Sequence, residues 1–98
     1  MATFYNAFIL YRGEYDEFCT QNRIFHTYSF AEKVCESIVK ENDDDPYRYP
    51  HVYGIVIVEV NPDDSWRVVG EDVQGCEYRI RNEGPRIIIS GEPMRTLV

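Results

Sequence analysis

The alternation of apolar and polar residues predicts two strands at the start of the chain. Residues 3–11 (TFYNAFILY) and 23–28 (RIFHTY) are rich in aromatic and β-branched residues, which favour strands. We expect the two segments to pair as a hairpin. Between them, residues 14–20 (EYDEFCT) fit either a short helical turn or an irregular loop.

One amphipathic helix is predicted to begin at Ser29 and to end near Asn42. Ser29 and Glu32 have the spacing of a capping box, in which each side chain bonds the other residue's free backbone N–H. The apolar residues at helical spacing on one face are Ala31, Val34, Cys35, Ile38 and Val39. The polar face comprises Glu32, Lys33, Glu36, Ser37, Lys40 and Glu41. The acidic run 43–45 and the proline after it cannot continue the helix.

The pattern of the second half of the chain predicts strands separated by turns. Residues 52–60 (VYGIVIVEV) are almost continuously apolar, which predicts a central strand covered on both faces. Further strands are predicted at 65–69, 76–82 and 86–90, with a break at Gly70-Glu71-Asp72. The predicted order is β-β-α-β-β-β-β. Short connections favour a single α+β domain over residues 1–98, with a mostly antiparallel sheet of five to six strands and one helix on one face.

A single helix covers only one face of this sheet, so the second apolar face needs another explanation. Either sheet curvature and loops close it, or it is a contact surface for a partner. The two-sided apolarity of residues 52–60 also motivates the hypothesis of a homodimer.

Acidic residues are in clear excess. The chain has 98 residues, 17 Asp and Glu, 10 Lys and Arg, and a net charge of -7. The acids cluster at Glu14, Asp16 and Glu17, at Asp43, Asp44 and Asp45, at Asp63 and Asp64, and at Glu71 and Asp72. Such a surface repels nucleic acid and attracts basic surfaces, so we expect no direct binding of nucleic acid.

No motif in the chain indicates catalysis, and we expect a protein that is not an enzyme. His26 and His51 fall in different predicted elements, a strand and a loop, without a nucleophile or metalloprotease motif. The run Asp43–Asp45 offers oxygen ligands but lacks the glycine and distal glutamate of an EF-hand, and a solvated loop is the preferred interpretation. The three cysteines have no zinc-site spacing and are interpreted as small buried hydrophobes. We predict neither metal nor cofactor.

The chain is expected to act in the cytoplasm. Its first residues lack the basic region and cleavage site of a signal peptide. No apolar run approaches the roughly 20 residues that a membrane span needs. An odd number of widely spaced cysteines suits a reducing compartment.

The candidate partner-binding residues are the acids and two tyrosines. Glu32 and Glu36, with Asp43, Asp44 and Asp45 beyond the helix, are predicted to form one row of negative charge; Asp63, Asp64, Glu71 and Asp72 are predicted to form a second row at turns of the sheet. The loop acids have fewer basic neighbours and should dominate the field. Tyr47 and Tyr49, beside Arg48, either seal the end of the sheet or anchor an interface.

The segments MATFYNAFILYRGEYDEFC and HTYSFAEKVCESIVKE resemble type I-F anti-CRISPR proteins, over at most the first half of the chain. These belong to the small acidic proteins that phages and mobile elements direct against host nucleases. The class has no shared motif, so the resemblance assigns no role to individual residues. Arg79, Arg81 and Arg86 depart from a uniformly acidic surface.

The resemblance implies an inhibitor that imitates DNA. Rows of carboxylates at spacings comparable to phosphates could occupy the basic DNA-binding subunits of a CRISPR surveillance complex and block target DNA. The alternative is a phage accessory protein or general interaction module that uses an apolar sheet face. Steric blocking without mimicry stays open as another route to inhibition. A third class is an undetected enzyme or small-ligand protein built around His51 and the tyrosines.

Overall fold

The predicted order of elements is confirmed. The computed structural model describes residues 2–44, 51–83 and 86–94, and its description of side chains omits 42–44. The elements are β1 (Phe4–Arg12), β2 (Phe18–Phe25), α1 (Tyr28–Asp44), β3 (His51–Val60), β4 (Trp66–Val73), β5 (Cys76–Glu83) and β6 (Arg86–Pro93). This is an α+β fold with one helix and six strands in the described part.

The strands form two antiparallel sheets. Four of them make a sheet in the order β2-β1-β3-β4, and β5 and β6 make a separate hairpin. The central position of β3 is confirmed, since β1 and β4 flank it on either side. Its apolar residues alternate between two faces of the sheet.

Helix α1 covers one face of the four-stranded sheet. Ala31 and Cys35 are buried against Ala7 and Ile9 of β1 and against Ile55 and Ile57 of β3, and Ile38 and Val39 pack at the margin. This confirms the predicted apolar face of the helix at those four helical positions. Burial of such side chains contributes roughly 1.5–3 kcal/mol each for the larger residues.

The β5–β6 hairpin covers much of the opposite face. Ile87, Ile89 and Cys76 of the hairpin are buried together with Phe8, Leu10 and the valines of β3. The sheet's second face is therefore packed within the chain, by a hairpin rather than by curvature and loops. The helix therefore covers one side of residues 52–60 and the hairpin covers the other. The apolar character of this strand does not require a homodimer.

The second strand begins five residues earlier, and ends three residues earlier, than the predicted segment 23–28. It begins at Phe18, which pairs with Arg12, and it ends at Phe25, which pairs with Tyr5. A tight turn at residues 14–16 allows this hairpin to form, and Gly13 N–H bonds the carbonyl of Glu17 at 2.8 Å. His26 therefore lies outside the strand, contrary to prediction, and His51 opens β3 rather than lying in a loop.

The helix begins at Tyr28 and is capped by Thr27 rather than Ser29. The backbone N–H of Phe30 donates to the Thr27 hydroxyl oxygen at 3.3 Å, and the N–H of Ala31 donates to the Thr27 carbonyl at 3.3 Å. The predicted Ser29–Glu32 capping box is thus wrong, because Ser29 already lies inside the first turn. The helix also runs two residues beyond Asn42.

Candidate functional site

A groove of about 470 Å³ runs between α1 and β4. On the helix side, Glu32, Glu36 and Lys40 follow one another at intervals of four residues and so project along one line of the helix surface. On the sheet side, the wall is formed by Gly70, Glu71 and Asp72. The two walls bring together acids that lie nearly forty residues apart in sequence.

The floor of this groove is apolar. Cys35 of the helix and Ile55 and Ile57 of β3 are buried there, and Val39 is half-buried. Burial raises the pKa of the Cys35 thiol, so this residue stays neutral at physiological pH and behaves as the predicted small hydrophobe. An apolar floor beneath charged walls suits a ligand with an aliphatic stem and a charged end.

Glu32 lies beside a tyrosine that closes one end of the groove. Hydrogen bonding with the Glu32 carboxylate raises the pKa of Tyr28, with loss of solvation as the next cause. The Tyr28 hydroxyl oxygen lies 3.4 Å from the carbonyl oxygen of Val69 in β4, and its ring makes a T-shaped contact with the ring of Tyr5. Sequence reasoning missed Tyr28, which contacts both walls from the first helical turn.

Glu71 and Asp72 lie within a strand, not at a turn as predicted. Strand β4 continues through Gly70 because a bulge between Ile57 and Val58 resets its register with β3. Glu71 then pairs with Val56 and Asp72 with Ile55, so the two side chains point to opposite faces of the sheet. Asp72 shares the helix face, and the Glu71 carboxylate accepts a hydrogen bond from Tyr78 of the hairpin.

Gly54 allows β4 to approach β3 closely at this point. Its φ is 150°, and a Cβ on it would collide with the carbonyl oxygen of Asp72. A side chain at this position would therefore displace the backbone that carries Asp72.

Asp63 and Asp64 lie at the far end of β4 and build the β3–β4 turn. The Asp63 carboxylate accepts hydrogen bonds from the N–H and the hydroxyl of Ser65, at 3.0 and 2.6 Å. These bonds lower the pKa of Asp63. Asp64 has a φ of 67°, a conformation that Asp tolerates in turns. The strand separates this turn from Asp72 by about 20 Å, so the structure does not merge the two pairs into one compact patch.

Several of the predicted site residues lie outside the described residues or side chains. Asp45, Tyr47 and Tyr49 belong to the segment 45–50, which the description omits, and for Asp43 and Asp44 only the backbone is described, in the last turn of α1. Among the side chains that are described, no three His, Cys, Asp or Glu residues are grouped so as to hold a metal ion.

Lys40 is the one basic residue among the described residues that line the groove between α1 and β4. Arg79, Arg81 and Arg86 are exposed on the hairpin, and Arg81 pairs with Glu83 at 2.8 Å. Arg67 pairs with Glu59 across β3 and β4 at 3.3 Å. The molecule therefore has an acidic groove beside the helix and arginines on the hairpin.

No helix within the described residues combines the length and the apolar character that a membrane crossing requires. Comparison with known proteins found no matching family model, no matching curated protein and no matching solved structure.

Proposed function

We propose that this chain is a non-enzymatic inhibitor that binds a basic, nucleic-acid-binding surface through the groove between α1 and β4. The observation that supports this is the meeting of Glu32, Glu36 and Asp72 on two walls of one groove over an apolar floor. Carboxylates around an apolar floor suit recognition of basic side chains.

The geometry suits a lysine or arginine side chain of the partner. Its methylene stem would pack on Ile55 and Ile57, and its charged end would lie between the carboxylates of Glu32 and Asp72. The net charge of -7 would steer the chain toward a positive partner and raise the rate of association.

The partner that we propose is the set of DNA-binding subunits of a type I CRISPR surveillance complex in the host cytoplasm. The support for this target is the resemblance of the first half of the chain to type I-F anti-CRISPR proteins. Occupation of lysines and arginines that normally contact phosphates would exclude target DNA from the complex.

The test measures the binding of target DNA to a purified type I-F surveillance complex at increasing concentrations of this protein. We expect the wild type to block DNA binding, and the triple variant Glu32→Gln/Glu36→Gln/Asp72→Asn to need at least tenfold more protein. The matched control is Glu14→Gln/Glu77→Gln/Glu92→Gln, which removes three exposed charges away from the groove. The control should inhibit almost as well as the wild type.

Two results would contradict the proposal. Undiminished DNA binding at saturating wild-type protein would exclude this target, and equal weakening by both triple variants would show that net charge acts without the groove. Raising the salt concentration should weaken the inhibitor, because screening acts on the same charges.

The structure reduces the support for the alternative, an interaction module that uses an apolar sheet face. The face opposite the helix is packed against the hairpin through Ile87 and Ile89. What stays open on that side is a groove next to β2. Its volume is about 420 Å³, and its lining includes Arg86 and no acidic residue among those described.

A further inference from the structure

A second groove, of about 420 Å³, lies between the hairpin and the β1–β2 side of the sheet. Strand β6 of the hairpin lies next to β2 and β1, yet Thr20, Asn22 and Ile24 of β2 stay exposed. The walls are the start of β6 and the hairpin-facing side chains of β2, among them Thr20, Asn22 and Ile24. The groove is within the usual range for ligand sites, 300–1,000 Å³.

One buried polar group lines this groove without a partner. Asn6 of β1 is only 6% exposed, and its side-chain oxygen accepts no hydrogen bond from any described residue. It lies between Val58 and Ile24 in the sheet register. A buried acceptor without a hydrogen bond destabilises the fold. The sequence thus retains a destabilising group where a ligand with an N–H or O–H donor would satisfy it.

Two strand edges flank the groove. In the described part of the chain, β6 pairs only with β5 and β2 only with β1. In an antiparallel pair, alternate residues direct their N–H and C=O groups away from the partner strand. Strand β2 also lacks the usual protection of an edge: it has eight residues, one charge at Arg23, no proline and no bulge against β1.

The charge of this groove is opposite to that of the molecule. Arg86 is the one charged residue among the described residues that line it, in a chain of net charge -7. Ile24 in the β2 wall is 62% exposed, which is high for a large apolar side chain. The groove therefore combines an arginine, an uncovered isoleucine and an amide that needs a donor.

We propose that this groove binds an extended, acidic peptide segment of a partner protein, which adds as a third strand to β6. The peptide backbone would pair with the free edge of β6, as in other cases of strand addition. Its inward side chains would cover Ile24 and donate to Asn6, and a carboxylate would pair with Arg86. This site is separate from the acidic groove beside α1, and it does not depend on the function proposed for that groove.

The experiment is a selection from a displayed library of random octapeptides, followed by NMR titration with a synthetic peptide of the enriched sequence. We expect alternating apolar and polar residues with at least one Asp or Glu. Peptides that bind the α1–β4 groove should instead be basic, so the two sites are distinguished by the charge of what they select. Amide shifts should concentrate on β6 and β2.

Two pairs of measurements make the test specific. Arg86→Glu should weaken the peptide at least tenfold, whereas Arg79→Glu, an exposed arginine on the other hairpin strand, should leave its affinity unchanged. Arg86→Gln serves if the charge reversal disturbs folding. Asn6→Leu should keep or raise the melting temperature while it weakens the peptide, since it removes an acceptor that only the peptide satisfies.

Three outcomes would overturn the proposal. They are the absence of any enriched acidic peptide, shifts that map away from β6 and β2, and equal effects of the Arg86 and Arg79 variants. A dimer detected by sedimentation, with β2 shifts that depend on protein concentration alone, would assign the groove to a second copy of the chain instead.

Discussion

Tyr78 of β5 donates its hydroxyl hydrogen to the carboxylate of Glu71 in β4 and so links the hairpin to the edge of the four-stranded sheet. The link fixes the side on which each of two neighbouring acids acts. Successive side chains of a strand alternate between its faces, so Asp72 is the member of the pair that faces α1. A residue predicted to bind a partner thus has a structural role.

Replacement of Tyr78 by Phe should destabilise the fold by about 1 kcal/mol, the usual contribution of such a bond at a partly exposed site. For a domain of this size that corresponds to a fall of about 4–8 °C in the melting temperature. Burial, then the Glu71 hydrogen bond, raises the pKa of Tyr78 above the ordinary value of 10.0. Its stabilising effect is therefore complete below pH 10.0 and is lost as the pH rises through the folded-state pKa.

Thermal melts of both proteins between about pH 7 and pH 11 would check this prediction. The difference in melting temperature should be constant at neutral pH and shrink at the alkaline end. Tyr15→Phe, at a residue 85% exposed, is the matched control and should change little. A constant difference at all pH values would mean that the hydroxyl's ionisation does not matter.

The order of elements was predictable because each has a strong local pattern. The spacing of apolar residues in α1 and the continuous apolar run of β3 each predict which side chains are buried. The length of β4 was not predictable, since Gly70 and two acids are typical of a turn. Only the bulge against β3, a tertiary feature, allows the strand to continue.

Asp63 should stabilise the β3–β4 turn above its folded-state pKa and lose that effect in acid. Its pKa lies below the ordinary 3.8, first because of the Ser65 hydroxyl. The contribution is therefore present above pH 3.8 and disappears as the pH falls through the lowered value. We expect Asp63→Ala to lower the melting temperature at pH 7 by more than Asp63→Asn, which keeps an acceptor oxygen.

Melts from pH 7 to about pH 2 would test this. In acid the protonated Asp63 is also a neutral acceptor, so the deficit of Asp63→Asn should vanish there and that of Asp63→Ala should shrink. The same variants separate structure from binding. If Asp63→Asn folds like the wild type but inhibits poorly, the turn also contacts the partner, as the sequence predicted.

Thr27 and Ser29 offer a direct comparison of two candidate caps. Thr27→Ala should destabilise the protein by about 1 kcal/mol because it removes the oxygen that accepts the Phe30 N–H. Ser29→Ala should have little effect or a small stabilising one, since alanine is the better residue inside a helix. Urea unfolding of the two variants decides between them, and a larger loss for Ser29→Ala would restore the predicted capping box.

Residue type alone could not have shown which of these two residues caps the helix. Both residues have a hydroxyl, and Ser29 has the better spacing to a glutamate. The choice follows from β2, which ends at Phe25 and leaves only His26 and Thr27 before the helix. The acidic groove was partly predictable, because the spacing of Glu32 and Glu36 already placed them on one side of the helix. The second wall of the groove, which contains Asp72, could not be predicted because it depends on the register of β4 with β3.

The acids at the end of α1 give the last prediction. Asp43 and Asp44 lie in the final turn of the helix, which contains no basic residue. The carbonyl groups at a helix C-terminus make that end negative, so acids there are unfavourable by about 0.3–1 kcal/mol each. Asp43→Asn/Asp44→Asn should therefore raise the melting temperature slightly or leave it unchanged, while weakening the inhibitor if these acids reach the partner. The melting temperature and the DNA-blocking titration are measured on the same sample. A clear fall in stability would show that these acids pin the helix end, and the charge row predicted from the sequence would lose its support.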